Sequence, residues 1–214
     1  MLGSAEAIVT IADALTHHNV STVVVDPVRS PLLFTPSSHT ATNSLPLPKQ
    51  VMIATTGAQL LPLSTLQLLR ARLLPLATIV TPNVPEALRL LEESTTNGDG
   101  PEHPPPFSDG VRTVADLEAI GRAIRKLGPR WVLVKGGHCP FAADGTVAET
   151  EEARERVVDV LVGGEDADGE VVRIETGYCA TRHTHGTGCS LACELSFSLS
   201  LSLVPFIFPP LLSF

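Results

Sequence analysis

The chain has 214 residues, 43% hydrophobic and 18% charged, a globular composition with enough material for one domain and a sizeable core. Lys and Arg number 15 against 23 Asp and Glu, a net charge of −8 without any basic cluster, which argues against nucleic acid as a partner. Cys139, Cys179, Cys189 and Cys193 form no C-x-x-C pair and the start lacks a signal-peptide pattern, so free thiols in a cytoplasmic setting are expected.

Ser4 is placed to cap a first helix whose apolar positions Ile8, Ile11, Ala12 and Leu15 recur at helical spacing. Thr22 to Asp26 is a β-branched run without alternation, as in a strand buried on both faces. Arg29 to Val51 is rich in Pro, Ser and Thr, carries only Arg29 and Lys49 as charges, and reads as an insert. Leu63 to Leu74 is helix-like and Pro75 ends it, before a second strand at Ala77 to Thr81. A helix starts near Pro85-Glu86, and an acidic surface loop with Gly and Pro spans Glu92 to Phe107. Thr113 with Asp116 opens the next helix, Leu117, Ile120, Ile124 and Leu127 form its buried stripe, and Gly128-Pro129 stops it.

Trp131 to Val134 reads as a third buried strand, and Val157 to Val162 with Glu170 to Glu175 as a hairpin or a pair of edge strands. Strands alternating with helices predict an α/β fold with a mainly parallel sheet, helices on both faces, and ligands beyond the carboxyl ends of the strands. The tail from Leu195 to Phe214 is apolar, but Pro205, Pro209 and Pro210 exclude a spanning helix. Its Ser196 to Leu203 alternation is compatible with a solvated strand, though an uncharged one is an aggregation hazard.

Polar residues follow all three strands: Asp26; Thr81-Pro82-Asn83 with Glu86; and Lys135-Gly136-Gly137-His138. A carboxylate, an Asn/Glu pair and a Lys beside two glycines are what a magnesium-nucleotide needs. Each has a plainer reading. Asp26 before Pro27 is a good turn residue, Glu86 suits a helix first turn, and Gly136-Gly137 makes a turn.

Further on, Thr184-His185-Gly186-Thr187-Gly188-Cys189-Ser190 opens a helix. Glycines there present amide donors and the positive end of a helix to an anion, such as the charge that develops in phosphoryl transfer. Cys189 in the first turn could take a proton from an attacking hydroxyl, or could simply be a small buried thiol. No P-loop, dinucleotide fingerprint or hydrolase elbow occurs, and His183 with His185 lack zinc-site spacing to other ligands.

In order, Met1-Leu2-Gly3-Ser4, Val24-Val25-Asp26-Pro27-Val28, Thr56-Gly57-Ala58-Gln59-Leu60-Leu61, Thr81-Pro82-Asn83-Val84-Pro85-Glu86-Ala87, Val132-Leu133-Val134-Lys135-Gly136-Gly137-His138 and Thr184-His185-Gly186-Thr187-Gly188-Cys189 resemble the hydroxymethylpyrimidine/phosphomethylpyrimidine kinases, relatives of pyridoxal kinases and ribokinases. The resemblance implies a ribokinase-like sheet, ATP as phosphoryl donor with Mg2+, an aminopyrimidine acceptor and a possible homo-oligomer. By position it implies metal-site roles for Asp26, Asn83 and Glu86, and nucleotide contacts from Lys135, Gly136, Gly137, Thr184 and His185. It implies an anion hole from Gly186, Thr187 and Gly188, with Cys189 as catalytic base. This Cys favours the pyrimidine kinases over ribokinases, which carry Asp there.

The same resemblance places a family strand and substrate loop ahead of Met1, so residues 1–194 are expected to be a partial kinase domain and 195–214 an atypical tail. Deleting Arg29 to Val51 joins Asp26-Pro27-Val28 to Met52 in the family pattern, so the insert is expected to be a translated intron. Repeating CT dinucleotides would give the Ser/Leu tail in the same way. Pyridoxal kinase activity and a non-catalytic fragment are the competing readings.

Overall fold

The computed structural model describes residues 4–27, 63–92, 110–164, 169–180 and 187–202, except for the side chains of 63, 187–190 and 200–202. The Arg29 to Val51 insert, the Glu92–Phe107 loop beyond Glu92 and the tail beyond Ser202 lie outside the described residues.

Helix α1 (Ala5–His17) starts where expected, with the Ser4 hydroxyl accepting the Ala7 amide at 3.2 Å. Ile8 and Ala12 are buried and Leu15 packs against them, whereas Ile11 is exposed. The helix closes on Asn19, at φ 47°, with the Val20 amide bonded to Leu15 O and the Asn19 amide to Thr16 O. This is a left-handed helix stop, in which Asn replaces the usual glycine.

Strand β1 (Val24–Val25) leads to α2 (Leu63–Leu68), which widens into a π-helical stretch (Leu69–Leu73) and tightens into a 3-10 turn (Leu74–Leu76). Pro75 lacks an amide and crowds the carbonyl one turn back, so a regular α-helix cannot continue through it. After β2 (Ile79–Val80) come α3 (Val84–Leu91) and α4 (Val114–Arg125). Asp116 opens α4 by accepting the Thr113 amide at 2.8 Å and the Arg112 amide at 2.9 Å. Of the predicted stripe, Leu117, Ile120 and Ile124 are fully buried, while Leu127, beyond the helix end, is only partly buried against the same core.

Strands β3 (Trp131–Val134), β4 (Arg156–Gly163) and β5 (Glu170–Gly177) complete a five-stranded sheet in the order β1-β2-β3-β4-β5. The sheet is mixed: β1, β2 and β3 are parallel, while β4 and β5 run antiparallel as the predicted hairpin. The parallel part therefore covers less of the sheet than the sequence pattern implied, because β4 returns beside β3 without a helical crossover.

The parallel strands follow one another in order, so both crossovers step in one direction and, with one hand, leave their helices on one face. Val80, Val132, Val134, Val158, Val160 and Val162 from that face join the helix side chains in one core. Ile79 and Leu133 are buried on the other face and lie outside that cluster. Each fully buried aliphatic side chain contributes about 1.5–3 kcal/mol.

The last helix, α5 (Thr187–Ser202), packs beside β1. It carries the Ser/Leu alternation from Ser196 to Ser202, so that segment is helical and not a strand. Extending a helix already nucleated at Thr187 adds a hydrogen bond per residue, whereas a new strand would need a partner. The alternation spreads apolar groups around the helix and leaves Phe197 exposed.

Candidate active site

The carboxyl ends of β1, β2 and β3 bring together residues far apart in the chain. Parallel pairing sets Val25 beside Val80 and Val80 beside Val132, so the residues that follow each strand emerge on one edge. The Thr81 amide donates to Val25 O at 3.0 Å and the Lys135 amide to Pro82 O at 2.8 Å. Asn83 and Lys135 form a further parallel bridge beyond the strands.

Asp26 and Lys135 meet at this edge. Lys135 Nζ donates to Asp26 Oδ1 at 3.0 Å, and Thr81 Oγ1 donates to the same oxygen at 3.0 Å. The Asp26 side chain is only 9% exposed and that of Lys135 17%. Asp26 Oδ2 is buried and accepts no hydrogen bond from the described residues. A desolvated carboxylate oxygen without a donor is costly by itself and suits a hard cation or one of its waters. The residues present therefore fit magnesium at Asp26.

Asn83 and Glu86 adjoin this pair through the Asn83–Lys135 bridge and are occupied locally. Asn83 Oδ1 accepts the Glu86 amide at 2.9 Å and Glu86 Oε2 accepts the Asn83 amide at 3.0 Å, a reciprocal cap on α3. The plainer reading of Glu86 as a first-turn residue is thus realised. The cap stiffens the turn beside Lys135. Among the described residues, no three His, Cys, Asp or Glu side chains gather to hold a metal ion. A metal site here would combine the two carboxylates with the Asn83 amide and water.

The two glycines after Lys135 differ. A Cβ on Gly136 would lie 1.9 Å from Val158 O, so this glycine is required by close packing on β4. A Cβ on Gly137 would meet nothing within 4 Å, and Gly137 and His138 face solvent, where the backbone is open to a ligand.

Sequence reasoning missed two participants. Thr81 was one of the strand-end polar residues but had no assigned role, and it orients Asp26. Asp159 accepts the Gly136 amide at 2.8 Å, and burial pushes its carboxyl above the usual range against the pull of that bond and of the Lys135 charge. The signal for Asp159 was a lone carboxylate within the otherwise apolar run Val157-Val158-Asp159-Val160-Leu161.

Gly188 and Cys189 follow Thr187 at the start of α5, so the predicted helix opening is present. Their side chains, and Thr184, His185 and Gly186 altogether, lie outside the described residues. Cys139, next to the Lys135 loop, is a half-buried thiol raised by desolvation and packed against the core.

Residues 48–203 match the family model described as phosphomethylpyrimidine kinase. The hydroxymethylpyrimidine/phosphomethylpyrimidine kinase of Salmonella typhimurium is 30% identical over 92% of this chain and 53% of its own length. The chloroplastic thiamine biosynthetic bifunctional enzyme of Arabidopsis thaliana is 33% identical over 94% of this chain and 28% of its own. The chain thus spans about half the length of the bacterial relative and under a third of the plant one.

Among solved structures, the phosphomethylpyrimidine kinase of Clostridium difficile superimposes with a TM-score of 0.53 at 27% identity, over 94% of this chain and 58% of that one. The pyridoxal kinase of Bacillus subtilis, at TM-score 0.58 and 24% identity over 94% of this chain and 54% of that one, shares the fold. The strand-end geometry, the ordered motifs and these matches agree: the chain belongs to the phosphomethylpyrimidine kinase family.

Proposed function

We propose that this chain takes part in transfer of the ATP γ-phosphoryl group to the hydroxymethyl or phosphomethyl group of an aminopyrimidine, a kinase step of thiamine biosynthesis. The observation that supports it most is the buried Asp26–Lys135 pair, with one carboxylate oxygen that has no partner among the described residues, at the edge where parallel strands bind ligands. Such chemistry is largely positioning and electrostatics.

In this reading Lys135 moves from Asp26 to phosphate oxygens, which keeps its charge compensated. Asp26, with Asn83 and Glu86, would hold magnesium, which when bound would neutralise phosphate charge. The exposed backbone at Gly137 admits the nucleotide, with further contacts from Thr184 and His185. Amides of Gly186, Thr187 and Gly188 face the charge that builds on the transferring group, and Cys189 accepts the hydroxyl proton. A small-molecule acceptor and a cytoplasmic setting complete the proposal. No helix among the described residues is long and apolar enough to cross a membrane.

The test is ATP-dependent phosphorylation of hydroxymethylpyrimidine, with pyridoxal as the competing acceptor. The assay uses the chain as it stands and a version carrying a family member's first strand and substrate loop ahead of Met1. Phosphorylated pyrimidine from either supports the reading. Product from pyridoxal alone overturns the acceptor, and failure of both proteins to bind ATP overturns the kinase role.

A further inference from the structure

We propose that Asp159 is a positioning residue for the phosphate end of the nucleotide site: by holding the Gly136 amide it fixes the backbone that carries Lys135. The inference rests on the nucleotide reading of Lys135 given above.

The antiparallel register pairs Val134 with Val160, which puts Asp159 beside the first residue beyond the end of β3. Asp159 Oδ1 accepts the Gly136 amide at 2.8 Å, and that amide belongs to the peptide whose carbonyl comes from Lys135. On the other side the Lys135 amide is held by Pro82 O at 2.8 Å. The backbone on either side of the Lys135 Cα is thus held from the two neighbouring strands. The Gly136 backbone also lies so close to Val158 O that a Cβ would stand 1.9 Å from it, so the loop has no slack toward β4.

Asp159 shares the half-buried face of β4 with Val157 and Leu161, opposite the fully buried Val158, Val160 and Val162, and its partial desolvation between two apolar neighbours favours a specific partner. The partner is the Gly136 amide, and the neighbouring charge is Lys135. The cation at the centre of the site therefore has a carboxylate on each flank, Asp26 from β1 and Asp159 from β4. When Lys135 turns from Asp26 to a phosphate, Asp159 keeps its backbone in place, so Nζ searches a short arc and not a whole loop's freedom.

Amide hydrogen exchange of the full chain, read residue by residue by NMR, is compared with MgATP affinity from calorimetry for the unsubstituted chain, Asp159→Ala and Asp159→Asn. Losing the bond in Asp159→Ala is expected to speed Gly136 exchange and weaken ATP binding, each by about tenfold, while Val160 and Val162 stay protected. Asp159→Asn keeps an acceptor oxygen and is expected to restore both to within about threefold. Unchanged Gly136 exchange in Asp159→Ala overturns the anchor. Faster Gly136 exchange with unchanged ATP affinity overturns the positioning role and leaves Asp159 a sheet-closing residue. Lack of ATP binding both by the unsubstituted chain and by the version carrying a family member's first strand and substrate loop overturns the kinase reading and the positioning role with it, and Gly136 protection identifies that outcome as a failure of the nucleotide reading rather than of the anchor.

Discussion

Lys135 Nζ lies 3.0 Å from Asp26 Oδ1 although 109 residues separate them in the chain. The contact spans the sheet from the end of β3 to the end of β1, across β2, and both side chains are largely withdrawn from water. A pair in such a place is sensitive to removal of either partner, because the survivor is left as an uncompensated charge.

Lys135→Met is expected to lower stability by about 3 kcal/mol at neutral pH, measured by urea denaturation. Adding Asp26→Asn to it should recover part of that loss, since the stranded carboxylate is then gone. Full additivity of the two substitutions would show that the pair is not coupled in the folded protein.

The Gly136 and Gly137 backbones predict opposite responses to one methyl group. Gly136→Ala drives a Cβ into the Val158 carbonyl and should cost about 2–3 kcal/mol. Gly137→Ala meets open space and should stay within about 0.5 kcal/mol. Thermal or urea midpoints decide between them, and equal effects would contradict the described close approach.

Glu86 both caps α3 and stands in the expected metal set. Glu86→Gln keeps an oxygen for the Asn83 amide, so stability should change by less than about 1 kcal/mol. If Glu86 helps to hold magnesium, phosphoryl transfer should fall at least about tenfold, with a raised magnesium requirement. Unchanged turnover would confine Glu86 to the cap.

Asp116 gives a pH-dependent prediction. Burial acts to raise its pKa, but the amides of Arg112 and Thr113, the Thr113 hydroxyl and the Arg112 charge together outweigh it and lower the value. A folded-state pKa below the unfolded one means that the carboxylate's stabilisation is present above about pH 4 and is lost as pH falls through the folded value. Asp116→Ala removes the carboxylate half of this cap, and because the group is screened by solvent the cost at pH 7 should be no more than about 0.5 kcal/mol. The gap in denaturation midpoint between this variant and the unsubstituted chain should narrow as the solution is acidified below pH 4. A gap that stays constant into strong acid would place the effect elsewhere.

Much of this protein was legible in the residues because its signals are local. The Ser4 and Thr113/Asp116 helix starts, the Leu117-Ile120-Ile124 stripe and the apolar strand Trp131 to Val134 depend on spacing and capping chemistry within one or two turns of chain. The motifs after the strands could be read in the same way, since a parallel sheet delivers strand ends to one edge whatever lies between them.

Three things needed the tertiary structure. The sequential strand order, with its core on one face, depends on which strands pair, and pairing is a long-range choice that local periodicity does not encode. The Ser/Leu segment up to Ser202 alternates like a strand, yet it is a helix because a helix already formed at Thr187 extends more easily than a lone strand finds a partner. The last is how the charges are shared. Composition and spacing supplied Asp26, Glu86 and Lys135, but only the packed sheet decided that Lys135 is paired with Asp26, that Glu86 is bound to the Asn83 amide, and that Asp159 accepts the Gly136 amide, because hydrogen bonds in a desolvated site are fixed by distances of a few ångströms.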